Sequence, residues 1–122
     1  MNESAYFVGS PVEDYWKKEQ RLGKILEAER KGPIPYREAG NVKFGDMWNT
    51  PKHFGYADGN DLFCHCSRWA ESTLSNIAFV STLEMGYANA WGVEVNADAL
   101  RFLGRDLARA FRVYLETLEK QQ

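Results

Sequence analysis

The stretch that most constrains this chain runs from Met47 to Ser67, where two short alternating runs flank a turn. Lys52, Phe54 and Tyr56 are two residues apart and share one face of an extended chain, with His53, Gly55 and Ala57 on the other. Phe63, His65 and Ser67 repeat that spacing. Between the runs, Asp58-Gly59-Asn60 is turn chemistry that folds one strand back antiparallel on the next. The expected product is a paired surface carrying Phe54, Tyr56 and Phe63 beside His65 and Lys52. Aromatic rings beside cationic side chains hold single-stranded nucleic acid through base stacking and backbone charge.

These residues resemble the cold-shock domains, small five-stranded barrels of the OB class. Asn49, Lys52, Phe54, Gly55 and Tyr56 fall at the spacing of that family's first motif, and Asp61, Leu62, Phe63, His65 and Ser67 at that of its second. The sequence departs from the motifs at Met47, Trp48, His53, Ala57 and Cys66. The resemblance covers residues 40–95, where Ile77, Phe79, Gly86, Ala90 and Val93 approximate the later strands. It implies an α+β fold: a five-stranded antiparallel OB-like β-barrel with an N-terminal and a long C-terminal α-helix. The strands are placed at about Val42–Asn49, through the two runs above, at Ile77 to about Leu83, and at Ala88–Val95. Gly45 supplies a bend, and Arg68 to Asn76 is a polar loop.

The flanks read as helices. Ser10-Pro11-Val12-Glu13 is an N-terminal signature, with Ser10 as cap and Glu13 as its capping-box partner, for a helix running to about Lys31. Gly32 and Pro33-Ile34-Pro35 end it. Before it, Ala5-Tyr6-Phe7-Val8 is a short β-like run. Asn96 caps a last helix from Ala97 to about Glu119, in which Leu100, Leu103, Leu107, Phe111, Tyr114 and Leu118 form an apolar seam that must be buried. On another face, Arg101, Arg105, Arg109 and Arg112 read as a solvated stripe paired with Asp98, Asp106 and Glu116.

At 122 residues the chain is expected to be one domain, 1–122, divided into an extension (1–39), a barrel (40–95) and a terminal helix (96–122). No apolar run approaches membrane-spanning length and no leader is evident, so a cytoplasmic protein without a membrane partner is expected. Cys64 and Cys66 share one strand face, a poor disulfide geometry, and read as small core residues. Cys64-His65-Cys66 alternates across the strand and cannot chelate one metal ion; neither a metal nor another cofactor is expected.

Charge shapes the functional reading. Of 15 basic and 17 acidic residues, residues 1–40 hold seven and seven, 41–96 three and six, and 97–122 five and four. The expected barrel is therefore the acidic part, and stacking at roughly 1–3 kcal/mol per base must carry affinity that phosphate neutralisation normally supplies. The expected function is non-enzymatic binding of single-stranded RNA or DNA with modest sequence preference. Phe54, Tyr56 and Phe63 would stack bases and His65 would stack or hydrogen-bond. Lys52 and Arg68 would meet phosphates, Trp69 would add a ring, and Asn49 and Asp61 would reach base edges or fix turns. The long seam on the last helix leaves room for a homo-oligomer formed through the helices.

Two other readings stand beside this one. Leu83-Glu84-Met85-Gly86-Tyr87-Ala88-Asn89-Ala90-Trp91-Gly92 resembles the nucleophile segment of the nucleoside deoxyribosyltransferases, and Ala5-Tyr6-Phe7-Val8-Gly9 fits their first strand and turn. That resemblance implies Glu84 attacking a deoxyribose C1′, with its segment helical. In the third reading a flanking helix covers the aromatic face, and the chain is a protein-interaction module.

Overall fold

A computed structural model of the chain describes residues 4–52 and 66–121. Among the described residues there are three α-helices: α1 (Glu13–Glu29), α2 (Cys66–Thr73) and α3 (Ala97–Glu119). The strands are β1 (Tyr6–Val8), β2 (Thr82–Glu84), β3 (Asn89–Ala90) and β4 (Val93–Glu94), and they form two separate two-stranded antiparallel sheets, β1–β2 and β3–β4. The five-stranded OB-like barrel is therefore overturned: no closed barrel exists among the described residues.

The backbone shows why. Val42 makes only a single parallel bridge to Val8, and the segment after it turns instead of extending. Gly45 and Met47 have φ of 96° and 51°, left-handed values that interrupt a strand. The expected fourth strand shrinks to β2, and the expected fifth is a tight hairpin closed by Trp91 and Gly92, both at positive φ. Arg68 to Thr73, expected as loop, lies in α2, whose buried residues are Ser67 and Ala70. Cys66 is exposed at the start of that helix, not in the core.

β1 is fully buried and its backbone groups are paired on both edges. On one side Tyr6, Phe7 and Val8 register against Glu84, Leu83 and Thr82. On the other, Phe7 N donates to Asn41 Oδ1 at 2.9 Å, Val42 N to Phe7 O at 3.0 Å, and Gly9 N to Val42 O at 2.8 Å. Alternation then sends neighbouring side chains to opposite faces. Phe7 and Leu83 join the main core with Leu22 and Leu26 of α1 and Leu103, Ala110 and Tyr114 of α3. Tyr6 and Val8 join a second, smaller cluster with Val42, Phe44 and Trp48.

The helices form where the apolar spacing places them. Asn96 caps α3, its side chain accepting from Ala99 N at 2.9 Å. Leu103, Leu107, Phe111, Tyr114 and Leu118 pack in the core, whereas Leu100 is exposed. The arginine stripe is paired as expected, Arg101 with Asp98, Arg109 with Asp106 and Arg112 with Glu116, while Arg105 lies over the Phe102 ring. Helix α1 starts later than the capping-box reading places it: Val12 is the N-cap and Ser10 Oγ accepts from Val12 N at 3.0 Å. The helix ends at Glu29, two residues before Lys31.

Candidate functional site

Of the residues expected to bind nucleic acid, Phe54, Tyr56, Asp61, Phe63 and His65 lie outside the described residues. The others are not brought together on one strand face. Lys52 is exposed in a turn. Asn49 is fully buried, donating through Nδ2 to Gly9 O at 2.9 Å and Val42 O at 3.0 Å, so it fixes the loop and reaches no base edge. Arg68 and Trp69 lie on α2, with Trp69 50% exposed. Without a barrel, the stacking platform loses the scaffold that was to present it. Among the described residues no group of three His, Cys, Asp or Glu side chains could hold a metal ion, and no helix is long and apolar enough to cross a membrane.

The structure instead assembles a polar pair on the second face of the β1–β2 sheet. Tyr6 and Glu84 are cross-strand partners 78 residues apart, and Tyr6 Oη donates to Glu84 Oε2 at 2.8 Å. Directly opposed side chains on one sheet face come within reach of each other, so the register alone brings phenol and carboxylate together. Burial, first, and then the adjacent Glu84 carboxylate push the Tyr6 phenol up to about 12, against a hydrogen bond from the Trp48 side chain that acts the other way. The phenol thus stays protonated, and a donor, throughout the neutral range. The hydrogen bond engages Oε2 of Glu84. The deoxyribosyltransferase resemblance implied a helical Glu84 segment; here Glu84 ends a strand and the residues after it lead into the β3–β4 hairpin.

A second carboxylate cluster lies at the end of β1. Glu19 of α1 is 0% exposed. It accepts from Ser10 N at 3.0 Å through Oε2 and from the Ser81 hydroxyl through Oε1. Burial pushes its carboxyl up to about 7, the two hydrogen bonds oppose the rise, and the charge of Glu71 adds to it. Glu71 of α2 is also raised by burial, offset by a hydrogen bond from Ser10 and by Arg68, and its Oε2 is buried without a partner. These groups tie the β1–α1 turn, α2 and the approach to β2 together.

Tyr6, Glu19 and Ser81 carry no local sign of these roles: a tyrosine in a β-like run, an acid among others on a helix, a serine before a strand. The Glu84 segment and the Ala5–Gly9 run were the visible signals, and what the sequence did not show is that the two pair. No known protein family, curated protein or solved structure matches the chain.

Proposed function

We propose that the chain cleaves or transfers the N-glycosidic bond of a nucleoside, with Glu84 as nucleophile and Tyr6 as the residue that orients it. The observation that carries this reading is the 2.8 Å hydrogen bond from Tyr6 Oη to Glu84 Oε2. A carboxylate held by one oxygen presents the other in a fixed direction, as attack on an anomeric carbon requires. In the first step Oε1 forms an ester bond to C1′ as the C1′–N bond breaks. The electron pair leaves with the base, which takes a proton from water. In the second step water, or the nitrogen of a second base, attacks C1′ and releases Glu84.

The Glu84 segment and the first strand with its turn, both of which resemble the deoxyribosyltransferases, support the deoxynucleoside as substrate class. The test is incubation of the protein with deoxynucleosides and chromatography for free base. Release by the wild type that falls to background in Glu84→Ala is the expected result. Tyr6→Phe, which keeps the ring and removes the donor, should slow release about tenfold, the scale of one hydrogen bond. Release that persists in Glu84→Ala sinks the proposal.

A further inference from the structure

A cation shares the sheet face of the Tyr6–Glu84 pair. Ala5 and Tyr36 form a parallel bridge, and both pack in the main core. The next residue on each chain segment, Tyr6 and Arg37, therefore turns to the opposite face; the Arg37 backbone is extended, at φ −137° and ψ 133°. Tyr6 in turn opposes Glu84. Arg37, Tyr6 and Glu84 thus form one row across neighbouring segments, with the backbones of Arg37 and Glu84 two strand spacings, about 10 Å, apart.

The Arg37 guanidinium lies over the Trp91 ring, 5.4 Å from its centroid. Among the described residues no carboxylate forms an ion pair with it. A ring contact satisfies none of the five guanidinium N–H donors, which remain in the fork that matches a phosphate. Trp91 is 47% exposed at the tip of the β3–β4 hairpin, with φ of 48°, a left-handed value that a bulky residue adopts only at a cost. Turn stability alone would favour glycine there. What the tryptophan adds is the ring beneath Arg37.

Resting on the N-glycosidic reading of Glu84, we propose that Arg37, backed by Trp91, binds the phosphate of a deoxynucleoside 5′-monophosphate, so that the preferred substrate is the nucleotide. The 5′-phosphate is attached through C5′ to C4′, across the ring oxygen from C1′. A phosphate on Arg37 therefore lays the sugar along the row and turns its anomeric carbon toward Glu84.

Base release from the 5′-monophosphate and from the free deoxynucleoside, measured side by side, tests this. Wild-type kcat/KM should favour the nucleotide by at least about tenfold, the scale of one hydrogen bond to a charged group. In Arg37→Gln that ratio should fall to about one, and in Arg37→Lys, which keeps the charge without the fork, to an intermediate value. Trp91→Gly, which suits the positive φ and removes the ring, should lower the ratio about threefold; an unchanged ratio overturns the part given to Trp91. A wild-type ratio near one, or a ratio unchanged in Arg37→Gln, overturns the phosphate site and leaves the nucleophile reading standing. So does inorganic phosphate that speeds release from the free nucleoside, since the fork would then seat a free anion. No release from either substrate, or release that persists in Glu84→Ala, overturns both.

Discussion

Glu19 is the residue with the largest consequence for how stability depends on pH. Its carboxyl is raised in the folded state to about 7 from an ordinary 4.5, so the folded chain binds this proton more tightly than the unfolded chain. Stability from this group is therefore full below about pH 4.5, declines as pH rises through that window, and is flat above 7. At 1.36 kcal/mol per unit the loss is about 3 kcal/mol. Glu19→Gln keeps an acceptor for Ser10 N and turns the other contact into an amide donating to the Ser81 hydroxyl. Urea unfolding from pH 4 to 8 should show the wild type losing stability and Glu19→Gln staying nearly level, apart from the smaller share belonging to Glu71. An unchanged slope in Glu19→Gln contradicts the assignment. Gly9, beside this cluster, is constrained by space: a Cβ there would sit 2.9 Å from the Trp16 ring and from Val42 O. Gly9→Ala should cost about 1–3 kcal/mol by forcing the turn away from α1, read as a lower urea midpoint with an unchanged slope.

Elements are joined by Asp106, which clamps the end of α1 to α3. It is 1% exposed and accepts from Lys31 N at 3.0 Å, from Gly32 N at 2.9 Å and from the Arg109 guanidinium. Asp106→Ala leaves two backbone donors, the Gly32 one buried, and a cation without their acceptor, and should destabilise by about 3 kcal/mol in chemical denaturation. Substituting Asp98, whose pair with Arg101 is exposed, should change stability by under about 1 kcal/mol. The arginine stripe was legible in the sequence, and so were its acidic partners. That one pair is buried and the other wet was not, because the end of α1 covers Asp106 from a distance of 75 residues. Helix α3 was legible because seam and cap agree in one continuous segment. The barrel reading failed where it rested on motif spacing: residues 42–49 are placed as a first strand by the cold-shock resemblance, yet Gly45 and Met47 break the extension. Helix α2 was missed because its eight residues bury only Ser67 and Ala70, too small an apolar side to show as a stripe.

In the whole molecule, β1 divides two kinds of chemistry, and the order of the fold decides both. Its inner face carries Phe7, whose ring meets Tyr36 and Phe79 edge to face at 5.9 and 5.7 Å. Phe79 in turn meets Phe111 and Tyr114 of α3 at 5.5 and 6.1 Å, and Tyr114 Oη donates to Ala78 O at 2.8 Å. Its outer face carries Tyr6 and, across the register, Glu84. The candidate site is thus legible only through the pairing of β1 with β2, a contact across most of the chain that no local pattern encodes. The same layout predicts how the parts fail. Phe79 is the ring that joins the sheet to α3, so Phe79→Ala removes three aromatic contacts at once and opens space between them. The cost should be about 3 kcal/mol, lowering Tm on the order of 10 °C for a chain of this size. Because both layers share that cluster, far-ultraviolet and aromatic circular dichroism should fall in a single coincident transition. Transitions that separate would mean that the sheet and the helices hold independent cores. Phe79 lies on the face opposite Glu84, so base release measured well below the lowered Tm should remain within about twofold of wild type. A larger loss there would show that the inner face sets the geometry of the outer pair.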